Sequence, residues 1–390
     1  VGDIVIVAPW VIAMFATMVL AAGLWSWRWR RSTPVRRVLA SLTALVTVVL
    51  TVAASVNAHY AYLPRLRDAA DLVWPGLSYT TVSTRVLQPG RHEVHPGGGV
   101  LRLSLPDGHD GLGPSSALLY LPPQYFLDPA ASFPVVYLLH GSPGSSEDWF
   151  RAGDAEAIGR WLARRGQPSV LVAPRLSRSW LDDSECVDGR REAVETHLLR
   201  TVLTSVELAV RVRSDRAGRV LVGNSAGGFC ALNIGLRHRD AFGTVISLSG
   251  ETHPTYTGGL QALFGRRNLS ARIRSNSPDL YAAELPPGPP TRLWLDSGRA
   301  DLVPLGQLTR LSRLLRGRSD LQARLVLRPG GHDYGVWRPG LRAALGWAVP
   351  PSATDPRRRL ALSLRRQRIS PAAAAAARSS QDVPVVGPSE

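Results

Sequence analysis

Between residues 135 and 348, strand-length apolar runs and helix-length amphipathic stretches take turns along the chain, and this alternation limits the fold more than any other feature. Runs rich in β-branched residues or leucine stand at 100–105, 117–121, 135–139, 170–173, 219–222, 244–248, 292–295 and 323–327. Helical patterns lie at 155–164, 191–210, 226–237, 305–316 and 339–348. Two strands joined through a helix run parallel, because the crossover carries the chain back to the starting end of the sheet. The first two runs have no helix between them and are expected to pair antiparallel, as a lead-in to the parallel strands. The expected fold is α/β, with a mostly parallel central sheet and helices on both faces.

Upstream the pattern changes. Residues 4–27 are almost uninterruptedly apolar and end in the cluster Trp25, Trp27, Trp29, as at a membrane interface. A second apolar run, 38–56, covers roughly 28 Å as a helix. Followed by Val56-Asn57-Ala58, that run also fits a signal peptide, but the apolar segment before it favours a membrane hairpin over residues 1–58. Arg28, Arg30, Arg31, Arg36 and Arg37 lie between the spans and should stay cytoplasmic, leaving the chain beyond residue 58 outside the plasma membrane. Residues 59–96, with Pro64, Pro75, Pro89 and Pro96, read as a juxtamembrane connector. Residues 97–350 form the α/β domain, and the Arg/Ala-rich stretch 351–390 reads as a disordered tail.

Charge needs placing before it is interpreted. The net charge is +16 and every basic residue is arginine, yet residues 1–67 carry +6 and residues 351–390 carry +4. The excess sits in the flanks without a recognisable nucleic-acid module, so no nucleic-acid partner is expected. Two cysteines are too few for a disulfide framework or a CxxC zinc site, and no metal or cofactor motif appears. Cys230 falls in the second turn of the helix after residue 225, and Cys186 lies in the loop after the preceding strand. Both should sit near one sheet edge, which makes them a candidate disulfide, with two unpaired cysteines as the other reading.

Gly223-Asn224-Ser225-Ala226-Gly227 matches GxSxG between the strand Arg-Val-Leu-Val and an Ala/Leu-rich helix. That context is a nucleophile elbow, in which glycines let a sharp turn lift the serine hydroxyl to a helix N-terminus. His140-Gly141-Ser142-Pro143-Gly144 follows another strand, at the loop that supplies one oxyanion donor in α/β-hydrolases. The backbone N–H groups of Ser142 and Ala226 are the expected donors, since Pro143 has none. Gly330-Gly331-His332-Asp333 follows the last strand, so the order serine, acid, histidine is available. His59, His92, His95, His109, His197 and His238 read as bystanders, and His253 as a surface or pocket-lining residue. For the acid, Asp296 and Asp301 compete. Trp149, Trp180, Asp182 and Asp183, in loops after strands, are pocket candidates or plain loop packing, and Trp337 is a further substrate-binding candidate.

With these motifs in hand, residues 97 to 348 resemble the esterase D-like branch of the α/β-hydrolases, which includes feruloyl esterases, S-formylglutathione hydrolases and mycolyltransferases. The similarity to feruloyl-esterase-type members rests on Tyr137-Leu-Leu-His-Gly141, Glu147-Asp148-Trp149-Phe150, the elbow at Ser225, a GxxD ending at Asp301, and Gly331-His332-Asp333-Tyr334 through Trp337 and Pro339-Gly340-Leu341. It implies Ser225 as nucleophile, Asp301 as orienting acid and His332 as base. The mycolyltransferases share the elbow, the pair Glu195-Thr196 and an aromatic residue at Trp337. They take a glutamate from the helix that here, at 305–316, has no acid. The expected activity is a membrane-anchored serine esterase acting on carboxylic esters. The alternatives are an acyltransferase delivering to a cell-envelope sugar or lipid hydroxyl, and an inactive adhesion or scaffold protein. The oligomeric state is left open.

Overall fold

The computed structural model describes residues 9–29, 31, 33–65, 81–82 and 98–351. Most of the connector and all but the first residue of the Arg/Ala-rich tail lie outside the described residues, as do the first five residues of the 4–27 run. Two long helices, α1 (Pro9–Trp29) and α2 (Pro34–Tyr60), lie against each other, with Ser26 Oγ donating to Ala40 O at 2.9 Å. Of the described residues, one helix, α2, is long and apolar enough to cross a membrane, over Pro34–Ala58 with a mean hydropathy of 2.2. It ends where Ala61 takes a left-handed conformation (φ 54°) and returns its N–H to Asn57 O.

The domain is built on one nine-stranded sheet in the order β1-β2-β3-β5-β4-β6-β7-β8-β9. Its strands are β1 (Thr81–Val82), β2 (Gly99–Leu105), β3 (Ser115–Leu121), β4 (Val135–Leu139), β5 (Val170–Pro174), β6 (Arg219–Asn224), β7 (Thr244–Leu248), β8 (Thr291–Gly298) and β9 (Leu321–Arg328). Strand β3 runs antiparallel to both β2 and β5, while β5, β4, β6, β7, β8 and β9 are mutually parallel. All eight expected strands form. The one not foreseen, β1, has only two residues, too few to show a period.

Both faces of the sheet are covered, which the two-residue alternation of side chains makes possible. Leu119, Val135, Tyr137 and Leu221 point to a core shared with residues 194–209, the helix Ala226–Arg237 and the helix Leu302–Leu314. Their neighbours Leu118, Val136, Leu138 and Val222 point the other way, onto the helices Ser146–Arg151, Ala155–Arg164 and Tyr334–Ala348. Two helices begin earlier than the sequence suggests, at Leu302 and Tyr334; Asp333 caps the second with its side chain, while Asp301 stands at the N-cap of the first without a side-chain cap bond. Pro339 therefore lies inside its helix.

Candidate active site

The turn after β6 places Ser225 at φ 54°, ψ −124°, outside the regions an L-residue prefers. Two glycines make that geometry attainable. A Cβ on Gly223 would lie 1.8 Å from Gly227 O, and one on Gly227 would lie 2.1 Å from Leu139 O, so any side chain at either position collides with backbone. The turn is held by Ser225 N–H donating to Leu248 O at 2.9 Å and by Phe229 N–H donating to Ser225 O at 3.0 Å. Ser225 thus stands at the head of the helix Ala226–Arg237, whose N-terminal dipole favours negative charge beside it.

His332 and Asp301 arrive from the loops after β9 and β8, and the backbone fastens those loops to each other. Arg299 N–H donates to Arg328 O at 2.8 Å and Ala300 N–H to Gly330 O at 2.9 Å. Gly330, at φ 116°, makes the turn that returns His332 over the strand ends. The imidazole then sits between two partners. Its Nδ1 lies 2.8 Å from Asp301 Oδ2, and its Nε2 lies 2.8 Å from Ser225 Oγ. Asp301 is buried while His332 remains partly open to solvent.

The competing acid, Asp296, is otherwise engaged. Its carboxylate accepts from Arg328 Nε and from Trp294 Nε1, each at 2.9 Å, and it is almost completely buried. Desolvation pushes its pKa up, against the opposing pull of Arg328 and Trp294. Asp333 is not a ligand of His332 either. It caps the next helix, accepting from Gly335 N–H at 2.7 Å and Val336 N–H at 3.3 Å, and so anchors the histidine loop on its far side.

The loop after β4 closes the other side of the serine. A Cβ on Gly141 would come within 3.2 Å of Ser225 Cβ and of Asn224 O, which puts Gly141 against the serine turn. His140 is buried, its Nδ1 2.9 Å from Gly141 O and its Nε2 3.3 Å from Leu176 N, and burial lowers its pKa. It is a neutral clamp on this loop.

The pocket candidates divide. Trp149 is fully buried among Leu118, Leu138 and Leu345, and Trp337 is 2% exposed; neither lines an open pocket. Trp337 meets the His332 ring edge-on, with centroids 4.9 Å apart, and props it from beneath. Trp180 is half exposed and lies beside the serine loop, its carbonyl accepting from Gly144 N–H at 2.9 Å. It helps to line a cavity of about 110 Å³ with His140, Gly144 and Ser145. Asp182 binds its own turn through Ser179 N–H and Asp183 binds Glu185 N–H, and both line a cavity of about 120 Å³ with Arg178, Glu192 and Tyr256. A larger depression of about 900 Å³, lined by Arg190, Phe264, Arg266, Arg267 and Arg272, contains none of Ser225, His332 and Asp301.

Cys186 and Cys230 form a disulfide with Cα atoms 5.4 Å apart, which staples the loop after β5 to the helix behind Ser225. His197 is buried between Asp110 and Ser115, and His238 contacts Glu195. Glu195 also pairs with Arg237, and Thr196 binds Asp188, so that pair is structural here. His253 is exposed, 3.6 Å from Asp279.

One contributor has no signal in the sequence. Tyr62, just past α2, donates from its hydroxyl to Pro143 O at 2.9 Å and packs edge-on against Tyr334, with centroids 5.4 Å apart.

Residues 114–348 match the model of the Esterase family, described as "Putative esterase". An uncharacterized protein of Corynebacterium glutamicum is 26% identical over 327 residues, which cover 80% of this chain and 76% of that protein. Among solved structures, a ferulic acid esterase superposes with a TM-score of 0.55 at 23% identity, covering 65% of this chain and 97% of its own. An S-formylglutathione hydrolase from Agrobacterium tumefaciens gives 0.55 at 17% identity, covering 65% and 95%. At these identities the structural likeness is one of fold.

Proposed function

The chain belongs to the Esterase family, and from that premise we propose that it is a membrane-anchored serine esterase, hydrolysing carboxylic esters outside the cytoplasm through an acyl-serine intermediate. The observation that carries this reading is the unbroken hydrogen-bonded series Ser225 Oγ, His332, Asp301 at the carboxyl ends of parallel strands. His332 Nε2 takes the hydroxyl proton as Ser225 Oγ bonds to the ester carbonyl carbon. The carbonyl oxygen becomes an oxyanion, held by the N–H groups of Ser142 and Ala226. Collapse breaks the bond to the alcohol oxygen, which leaves with the proton from His332. Water, deprotonated by the same imidazole, then releases the acid and restores Ser225. Asp301 holds Nδ1 protonated throughout and stabilises the imidazolium.

The anchor is argued from α2. Its window at Pro34–Ala58 is only 11% buried, and Leu42, Leu45, Val49, Val52 and Val56 stand exposed along it, a cost no water-facing helix would carry. The arginines before it, at 28, 30 and 31, and in its first turn, at 36 and 37, favour a cytoplasmic start and an external domain.

The test is to incubate the purified full chain with p-nitrophenyl esters of graded acyl length, with and without a sugar acceptor, and to follow where the acyl group goes. Release as free acid that vanishes in Ser225→Ala supports the esterase. Transfer to the sugar makes the protein an acyltransferase on the same acyl-serine. A Ser225→Ala variant that keeps more than about a tenth of the rate refutes the mechanism.

A further inference from the structure

The end of α2 is built into the active-site rim. Asn57, in its last turn, folds the chain back on itself: its Nδ2 donates to Leu63 O at 2.8 Å and its Oδ1 accepts from Leu63 N–H at 2.7 Å. Tyr62 is held inside that bracket. Its hydroxyl donates to Pro143 O, next to the proposed oxyanion donor, and its ring packs edge-on against Tyr334, two residues beyond His332, and against Trp180 at 6.4 Å. No slack chain separates the helix from the site. Tyr62, which touches the loop after β4, stands two residues past the end of α2 and four past the end of its apolar window.

The rim itself is apolar. Trp180 and Leu181 are 50% and 73% exposed, on a segment pinned to the serine loop through Gly144 N–H and the Ser142 hydroxyl. Leu302 and Val303, directly after Asp301, are 74% and 60% exposed. Among the described residues beyond the N-terminal helices, the other exposed large apolar residues stand singly, at Leu127, Leu208, Leu280 and Leu314. Single ones are ordinary, but two adjacent pairs, one tied to the loop after β4 and the other directly after the acid that holds His332, are not. A bilayer is the surface that covers such a rim, since the apolar face of α2 runs straight into it.

We propose that the active-site mouth lies on the membrane surface and that the substrate is the ester of a membrane-resident lipid, entering from the bilayer between Trp180–Leu181 and Leu302–Val303. This rests on the anchored-esterase reading above. It adds that the acyl chain need not cross water, and that Leu181 and Val303 touch lipid and not the ester.

The test uses the full chain reconstituted in phosphatidylcholine and phosphatidylglycerol vesicles. A nitroxide on Leu181→Cys should collide more with oxygen than with a water-soluble nickel chelate, while one on Asp240→Cys, at the opposite end of the strands, should show the reverse. The rate on dioleoylglycerol held in the vesicles should fall about tenfold in Leu181→Asp/Val303→Asp, the effect of losing one to two buried apolar side chains. Its rate on soluble p-nitrophenyl acetate should stay within about twofold. Vesicle flotation and wild-type p-nitrophenyl acetate hydrolysis check the underlying reading. If the protein does not float, or has no Ser225-dependent esterase activity, that reading fails and the proposal with it. If it floats and hydrolyses the soluble ester, yet the Leu181 label faces water or the double variant handles both esters alike, the orientation alone is overturned.

Discussion

Asp296 and Asp301 are five residues apart, and the geometry gives them unrelated work. Asp301 reaches His332 Nδ1, whereas Asp296 spends both oxygens on Arg328 and Trp294. Asp301→Asn should therefore lower turnover by roughly four orders of magnitude through the wrong imidazole tautomer while the protein melts normally. Asp296→Asn should do the opposite, keeping most turnover but losing about 3 kcal/mol of stability as Arg328 is left facing a neutral amide. Steady-state kinetics beside urea unfolding of both variants tests the pairing, and the reverse ranking transfers the acid role to Asp296. A third carboxylate has a pH signature. Glu185 is buried, and desolvation, with repulsion from Asp183 and Glu251, raises its pKa to about 8 although Thr255 N–H donates to it. The folded state thus keeps a proton that the unfolded chain releases near its ordinary value of 4.5. Its contribution to stability is full below that value and is lost as the pH rises through about 8. Glu185→Gln should melt progressively higher than wild type as the pH rises from about 5 to about 8.5, the raised Asp183 leaving some residual slope. A difference that ignores pH would show that Glu185 is already ionised when folded.

Among the elements, the elbow has the least tolerance. Gly227→Ala puts a methyl 2.1 Å from a backbone carbonyl of β4, and neither the helix Ala226–Arg237 nor the central strand has a flexible side chain that can yield. The cost should exceed the roughly 1–3 kcal/mol of ordinary overpacking, so circular dichroism should find the variant unfolded or melting far below wild type. A native melt would mean that the turn is looser than its contacts imply. The same elements explain what could be read from sequence alone. Strands such as Val135–Leu139 and Thr244–Leu248 announce themselves because both faces are buried and the run is wholly apolar. The serine and histidine are legible because their turns demand glycine. Helix starts at Leu302 and Tyr334 are not, since Pro304 and Pro339 imitate first-turn prolines while Asp301 and Asp333 stand at the caps. Trp149 and Trp337 read as pocket candidates because nothing local distinguishes a tryptophan that faces a pocket from one that fills a core. Tyr62 is invisible for another reason. Its partner Pro143 is 81 residues away, and only the folded chain brings them together.

At the scale of the whole molecule, the disulfide and the arginines between the apolar runs bear on one question, which side of the membrane holds the domain. The bond Cys186–Cys230 closes a loop of 44 residues, worth roughly 4 kcal/mol by chain entropy, and such bonds are rare where the surroundings reduce. Labelling of denatured, non-reduced protein should accordingly find no free thiol, and dithiothreitol should lower the melting temperature; two thiols per chain would remove the bridge. The orientation has its own test. Residues 34–58 form a helix of about 37 Å, enough to cross a hydrocarbon core of about 30 Å with some tilt. In the proposed orientation, arginines at 28, 30, 31, 36 and 37 keep its start on the cytoplasmic side, because translocating them costs more than translocating the weakly charged end at Asn57 to Tyr60. On that reading everything from Tyr62 onward lies outside. Protease added to intact cells should digest the domain, and alkaline carbonate should leave the chain in the membrane while detergent extracts it. Digestion only after lysis would put Ser225, His332 and Asp301 in the cytoplasm, deprive the disulfide of its oxidising surroundings, and reverse the leaflet from which a lipid ester reaches the site.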